Sequence, residues 1–520
     1  MNIASYFQAS AKDFPNRPAL SWENGELTYL ELQRIIHALR RELCGISRVG
    51  LLAHRSPVAF AGVQAILSSG AAYVPLKPSS PPRHNLRIQQ LSGFTTLVVG
   101  EECSQALSEL LSIQDGPLEI VTLGSVETIR SAVGSRPGLV LREASLESGL
   151  PPLEIEAPID GTAYIIFTSG STGVPKGVLG QHSCVDRYVT SFLAAFPVQP
   201  EDRLAQCSDI TFDPSIHDQF VAWRTGATLV AFPDRALLNP LDFAFEKRVT
   251  VWNSVASIPA LLEGFGEVRD GALPEVRLSL FGGEKLSWNA VQTWKRIAPK
   301  TRFANMYGPT ETTIAITYFA IPPEFPESAC HQGIVPIGKP FAGQRAEVRR
   351  PDGALCDPLE EGALWLGGDQ LTAGYLDPEK TAERFVPRGG ERLYRSGDIV
   401  FADAGGDLHF LRREDDQVKI AGYRIELGEI EAAILHETGA AFVVVDAAPL
   451  RGDLDELVCV LPTAFAPRKK AIRQAIRAVL EPHKLPKVWK FQDSLPLNAN
   501  GKIDRAALKA NWKKADLDAK

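Results

Sequence analysis

Strand-length apolar runs alternate with helix-patterned stretches, and this alternation narrows the choice of fold more than any other feature. Residues 49–53 form one such run, residues 58–68 carry the helical pattern after it, and residues 164–167 read as another buried strand. Strands that take turns with helices pair side by side and bury their faces under those helices, so an α/β architecture is expected. A chain of 520 residues also exceeds what one hydrophobic core organises. The texture changes in the charged stretch Arg412-Arg413-Glu414-Asp415-Asp416, just after the apolar segment 408–411. Beyond it a helix (428–437), strands (441–445 and 457–461) and a helix (468–480) read as a small α+β unit, giving a division into residues 1–414 and 415–520. The last helix gathers Ala471, Ile472, Ala475, Ile476, Val479 and Leu480 on one face, a stripe read as core. Residues 506–520 read as a solvated, mixed-charge end.

Composition excludes several classes. Net charge is −7, from 55 Lys+Arg against 62 Asp+Glu, so no basic stripe for nucleic acid is expected and any phosphate ligand needs a local cation. Seven scattered cysteines, without a CxxC pair, argue against a zinc site or a disulfide framework. The first twenty residues are too polar for a signal peptide, and no run reaches the roughly 20 apolar residues that span a bilayer. A cytoplasmic protein without a membrane partner is expected.

Three segments carry chemistry. Thr168-Ser169-Gly170-Ser171-Thr172-Gly173-Val174-Pro175-Lys176-Gly177 follows an apolar strand. Its glycines allow backbone close to a phosphate, its hydroxyls donate to phosphate oxygens, and Lys176 supplies charge. Pro175 stands where a Walker loop needs glycine, and the Gly170/Gly173 spacing is not GxGxxG. In Asn305-Met306-Tyr307-Gly308-Pro309-Thr310-Glu311 a ring can stack on a purine, an amide can read its edge, a hydroxyl can meet a phosphate and a carboxylate can hold Mg²⁺. In Tyr394-Arg395-Ser396-Gly397-Asp398 the aspartate is placed to accept two ribose hydroxyls. Each alone has a plain alternative: a Gly/Ser surface loop, a turn, or Gly-Asp turn chemistry.

In this order, and with further segments, the chain resembles the ANL superfamily of adenylate-forming enzymes, above all the adenylation domains of nonribosomal peptide synthetases. Leu27-Thr28-Tyr29-Leu30-Glu31-Leu32 and Gly70-Ala71-Ala72-Tyr73-Val74-Pro75-Leu76 match the first two core motifs, and the glycine-rich loop the third. Phe212-Asp213-Pro214-Ser215 matches the fourth, residues 305–311 the fifth, and the segment ending Ala373-Gly374-Tyr375-Leu376 the sixth. Residues 394–399, residues 415–431 and Leu495-Pro496-Leu497-Asn498-Ala499-Asn500-Gly501-Lys502-Ile503-Asp504-Arg505 complete the series. Lys77 stands where the family often has Asp, and Arg412 where it usually has Gly; both read as variation clear of the chemistry.

The resemblance implies a large multi-subdomain adenylation domain followed by a small mobile lid domain. It implies ATP-dependent formation of an aminoacyl-AMP with loss of pyrophosphate, then transfer to the phosphopantetheine thiol of a carrier protein. By this match Lys502 is the catalytic lysine, Thr310 contacts the α-phosphate and Glu311 holds Mg²⁺. Thr168, Ser169, Gly170, Ser171, Thr172, Gly173 and Lys176 hold the β- and γ-phosphates. Tyr307 and Asn305 bind adenine beside Gly283 and Glu284, while Asp398 and Arg413 hold the ribose. Asp415 is the hinge, and Gly422 lines the thiol channel.

Asp213 pairs with an α-ammonium in the amino-acid-activating members, and a buried carboxylate facing substrate favours a cationic partner. The carried-over pocket is Pro214, His217, Asn253, Leu280, Gly282, Met306, Ile314 and Ala315. Asn253, Gly282 and Met306 resemble a threonine-type signature, whereas Pro214 and His217 replace its aromatic residues. The expectation is a small or medium amino acid with a hydrogen-bonding side chain, threonine-like as a first reading. Only fifteen residues follow Arg505, so the carrier is expected in trans, and a small activator protein stays open as a partner. The alternatives are a D-alanine–carrier ligase, an acyl- or aryl-CoA ligase, and a non-catalytic binding protein on the same fold.

Overall fold

The computed structural model describes residues 2–134, 136–146, 155–156, 161–169, 174–415, 417–451, 454–496, 505, 507–509 and 512. The apolar run near residue 50 is the strand Arg48–Leu52, and the helix after it spans Pro57–Ser68. Ser56 caps that helix by accepting from the Ala59 amide at 3.4 Å, and Pro57 takes a first-turn position where no N–H is needed. From Ala59 to Ser68 the helix is buried on every side, so it lies between layers instead of on a surface.

Those layers are two large sheets. The first has seven strands in the order Leu139–Ala144, Leu118–Leu123, Thr96–Val99, Arg48–Leu52, Ala72–Leu76, Thr162–Thr168 and Lys176–Gln181, parallel except for the last pair. The second has nine strands and a parallel centre that includes Val251–Val255, Leu278–Gly282 and Arg302–Tyr307. Helices between them share one core, in which Phe7 meets Trp223 edge-on at 5.5 Å and Tyr29 at 5.3 Å. A five-stranded antiparallel sheet follows, closing with Leu408–Arg413 beside Glu391–Ala402.

The chain then turns through the hairpin Gln417–Ile420 and Tyr423–Glu426. After it come the helices Leu427–Thr438 and Lys469–Arg477 and the three-stranded sheet Val444–Arg451, Leu454–Leu461 and Val488–Phe491. The α/β class with a smaller α+β C-terminal part therefore stands. The strand expected from residue 441 begins at Val444, and the helix expected over 468–480 is shorter. On its stripe Ile472, Ile476 and Leu480 are buried, whereas Val479 is 38% exposed and Ala471 also faces out.

The solvated-end reading needs correction. Leu508 and Trp512 are each 2% exposed and pack with Val444, Ala448, Val458 and Val460. Their four-residue spacing is that of one helical face. Trp512→Ala should therefore destabilise the C-terminal part by about 3–5 kcal/mol, as deletion of a buried aromatic does. Equilibrium unfolding of the full chain checks this, and a change under about 0.5 kcal/mol, typical of a surface position, would restore the solvated reading.

Candidate active site

Parallel strands bring their carboxyl ends to one edge, where ligands of such sheets bind. Asn253, Gly282 and Met306 stand at or near that edge of the nine-stranded sheet, and they line a cavity of about 610 Å³. Gly282 is required there: a Cβ would come within 2.9 Å of the Met306 carbonyl.

Asp213 borders this cavity at the start of the helix Pro214–Thr225, yet its side chain caps none of that helix's amides. It accepts instead from the Ile314 amide at 3.2 Å and from the Thr310 hydroxyl. The Ile314 amide is brought there by an unusual backbone: Thr313 and Ile314 both have positive φ, 59° and 70°. A β-branched residue there costs about 1–3 kcal/mol. Thr313 Oγ1 donates to the Gln370 carbonyl at 2.7 Å and Gln370 Nε2 donates to the Ala315 carbonyl at 2.9 Å, which holds the turn. Burial pushes the Asp213 carboxyl up to about 7, and the nearby Glu311 charge adds to this. No ion pair to Asp213 occurs among the described residues, so a cation from outside would restore its charge.

Glu311 is the opposite case. It is fully buried, but Arg424 Nη1 lies 3.1 Å from both carboxylate oxygens and the Tyr375 hydroxyl donates at 2.6 Å. Burial alone would raise its pKa; Arg424 and Tyr375 outweigh it and hold the carboxyl below its ordinary value. Arg424 comes from the hairpin after residue 416, which seats deep in the site. Ser169 Oγ donates to the Arg424 carbonyl at 2.6 Å. The two-residue turn has Ala421 at φ 50° and Gly422 at φ 80°, the twist that tight hairpins favour. A Cβ on Gly422 would lie 2.3 Å from Val255 Cγ1, and the Gly422 amide bonds Glu284.

Asp398, 2% exposed, accepts from Arg413 Nη1 at 2.8 Å and from the Tyr307 hydroxyl. Arg413 also donates to Asp415 through Nε at 2.9 Å and Nη2 at 2.8 Å. Lys419 lies 5.8 Å from the Tyr307 ring centroid; burial lowers its pKa while Asp398 draws it back up. Lys176 is also lowered by burial, and the neighbouring Arg424 charge adds to this.

Thr168, Ser169, Asp213, Pro214, His217, Asn253, Leu280, Gly282, Gly283, Met306, Thr310, Ile314, Ala315, Asp398, Arg413 and Gly422 all border the one cavity. Lys176, Glu284, Asn305, Tyr307, Glu311 and Asp415 do not. The Nδ2 of Asn305 donates to the Val335 and Pro336 carbonyls at 3.3 and 2.9 Å, which commits that nitrogen to the backbone. Gly170, Ser171, Thr172, Gly173 and Lys502 lie outside the described residues. Lys77 is not clear of the site: it borders the cavity and its Nζ donates to the Tyr423 hydroxyl at 3.0 Å. Arg412 does stand apart, in an exposed pair with Glu361 at 2.8 Å. The roles of Arg424, Lys419 and Tyr375 escaped sequence reasoning. The signal for Arg424 and Lys419 was the run of charged residues around Ala421-Gly422, and Tyr375 stood in the segment Ala373-Gly374-Tyr375-Leu376.

Asp213, Thr310, Asp398 and Arg413, from segments singled out in the sequence, thus border one cavity of about 610 Å³, Asp398 with a guanidinium partner and Asp213 without an ion pair among the described residues. Residues 7–376 match the family described as AMP-binding enzyme, and the chain belongs to it, within the ANL superfamily of adenylate-forming ligases. Its relatives are adenylation domains of nonribosomal peptide synthetases. It is 33% identical over 527 residues to a subunit of the linear gramicidin synthase of Brevibacillus parabrevis, covering 97% of this chain and 10% of that protein. It is 31% identical over 522 residues to surfactin synthase subunit 2 of Bacillus subtilis (strain 168), covering 98% of this chain and 14% of that protein. The chain thus spans about a tenth of the first relative's length. Among solved structures it is similar to the Vibrio cholerae adenylation domain AlmE in complex with glycyl-adenosine-5'-phosphate, with TM-score 0.89, 29% identity and 98% of each chain covered. No helix of the described residues is long and apolar enough to cross a membrane.

The Asp213 pKa generates a prediction. Below about pH 7 its carboxyl is protonated and cannot pair with an ammonium. KM for an amino acid should rise about tenfold per unit as pH falls below this value, and Asp213→Asn should remove that step while raising KM roughly 10- to 100-fold. A KM flat from about pH 5.5 to 8 would refute the pairing. For stability the sign is the reverse. The folded chain keeps this proton between 3.8 and about 7 where the unfolded chain releases it, so Asp213 destabilises increasingly as pH rises through that window.

Proposed function

We propose that this chain activates an amino acid with ATP and transfers it to the phosphopantetheine thiol of a separate carrier protein. One observation carries the substrate class: Asp213 is a buried carboxylate beside the cavity with no ion pair among the described residues, the Lys419 charge acting on it only from a distance. The glycyl adenylate held by AlmE, and the peptide synthases among the relatives, support the same reading.

In the first step the amino acid carboxylate attacks the α-phosphorus, the bond to the bridging oxygen breaks, and pyrophosphate leaves. Asp213 orients the ammonium, Thr310 lies between the amine and phosphate subsites, and Asp398 with Arg413 accepts the ribose. Lys502 supplies positive charge to the pentavalent phosphorus oxygens. Glu311 fits a Mg²⁺ ion, because its carboxylate is held ionised and a hard oxygen donor is what that ion takes. When bound, the metal screens phosphate charge. Arg424 now sits on the same oxygens, so Arg424 and a metal exclude each other there.

The arrangement with the hairpin seated therefore serves the second step, in which the thiol sulfur attacks the acyl carbonyl and AMP leaves. Residues 415–520 move as the unit that exchanges Arg424 for Lys502, with Asp415 as hinge and Gly422 beside the thiol. The amino acid is small or medium and polar, and a small activator protein remains an allowed partner.

Substrate-dependent ATP–pyrophosphate exchange over a panel of amino, aryl and fatty acids tests the activation. Exchange driven by amino acids is expected; exchange with aryl or fatty acids alone would overturn it. The two-arrangement mechanism has its own test. Gly422→Leu clashes with Val255 in the seated position and should lower carrier loading at least about tenfold while sparing exchange. Lys502→Ala should do the converse, losing exchange but keeping transfer from preformed adenylate. Equal losses in both half-reactions for either variant would refute the division of labour.

A further inference from the structure

Part of the cavity wall carries polar groups that its apolar neighbours do not answer. His217 is 1% exposed and lines the cavity, with Phe192 packed edge-on at 4.5 Å. Its Nδ1 lies 2.8 Å from the Tyr188 hydroxyl, and its Nε2 is buried without a partner. Burial pushes the imidazole down to about 3, so the ring is neutral. Asn253 also lines the cavity and its Nδ2 donates to Asp218 Oδ1 at 2.8 Å. Asp218 sits one position beyond His217 on the same helix, 1% exposed, and does not border the cavity itself. Its Oδ2 has no partner, and burial pushes its carboxyl well above the ordinary range.

The Asn253 amide can face either way until something fixes it. In the structure the amide nitrogen turns to Asp218 Oδ1, an oxygen that can accept in either protonation state, and the amide oxygen is left for the cavity. We infer that Asp218 is a specificity-determining positioning residue, holding Asn253 so that the site selects amino acids whose side chain carries a hydrogen-bond donor, an amine or a hydroxyl. This rests on the amino acid activation proposed above.

An apolar side chain would bury the Asn253 oxygen without a partner, and a site built to bond a polar group rejects the analogue lacking it. An acidic side chain would set an acceptor against an acceptor. An amine does most, because its charge also favours the ionised form of Asp218 behind the amide. Leu280, Met306 and Ala315 supply apolar wall for the aliphatic part of such a side chain.

The test is ATP–pyrophosphate exchange with pairs of similar size: threonine against valine, and 2,4-diaminobutyrate against norvaline. The wild-type chain should favour the donor-bearing member of at least one pair by about tenfold or more in kcat/KM. The pair that responds tells hydroxyl from amine. Asp218→Leu, which removes the acceptor that holds the Asn253 nitrogen, should bring that ratio close to one, chiefly through loss with the donor substrate. Asn253→Leu should lower the ratio likewise by removing the amide itself, and it carries the test if Asp218→Leu does not fold. A wild-type preference for the apolar members, or an equal loss with both members in the variants, would overturn the inference. Exchange with aryl or fatty acids alone would instead sink the activation reading, so the two failures are told apart.

Discussion

The Arg424–Glu311 pair is the contact on which the observed arrangement depends. Glu311 is fully buried, and an ionised carboxylate there is tolerable only because a guanidinium and the Tyr375 hydroxyl meet its oxygens. Removing one partner of such a pair typically costs about 3–5 kcal/mol. Arg424 comes from a part of the chain 113 residues away, and its position brings the rest of the hairpin with it. Ser169 is tied to its carbonyl, Gly422 is pressed on Val255, and Lys419 lies by Tyr307. Withdrawal of the hairpin leaves Glu311 uncompensated unless another cation arrives. On the proposed mechanism this is why loading of metal and nucleotide and movement of the C-terminal unit are one event.

Polar and charged groups also meet across the seam between the two parts, which suits the opening proposed above. Tyr423 stacks on His483 at 3.8 Å and meets Phe212 edge-on at 5.0 Å, with the Lys77 ammonium on its hydroxyl. Beside it Ser80 Oγ donates to Glu481 at 3.1 Å, and Lys484 bridges Glu481 at 3.0 Å and Glu429 at 2.8 Å. Burial alone would raise the Glu481 carboxyl, yet His84, Lys484 and His483 outweigh it and bring it to about 2. Groups of this kind exchange protein partners for water on separation, whereas opening an apolar seam costs free energy in proportion to the area exposed. Lys77, read from the sequence as variation, is part of this seam.

Local patterns made much of this legible. Strand runs near residues 50 and 165 pointed to the sheets, the ordered motifs named Asp213, Thr310 and Asp398, and the resemblance added Arg413 and Gly283, all of which border one cavity. Asn305 shows where motif reading stops. Met306 lines the cavity, and in a strand its neighbour Asn305 must face the other way, here to Val335 and Pro336. Leu508 and Trp512 stand at helical spacing in a segment whose many charges mask the pattern. Arg424 was beyond reach for another reason: nothing near it in sequence states that its partner is Glu311, since only the folded arrangement brings them together.

Asp213 and Glu311, two buried carboxylates at the same site, have opposite fates, and their contrast is informative. Burial disfavours the charged form of both, but Glu311 has a guanidinium and is held below its ordinary pKa, while Asp213 has none and rises to about 7. The Glu311 charge is itself one cause of the Asp213 shift. An ammonium seated at Asp213 and a cation kept on Glu311 therefore favour each other, since each neutralises a charge that raises the cost of ionising the other group. On the proposed function, an amine-bearing substrate completes this balance, whereas an aryl or fatty acid would leave Asp213 to hold its proton.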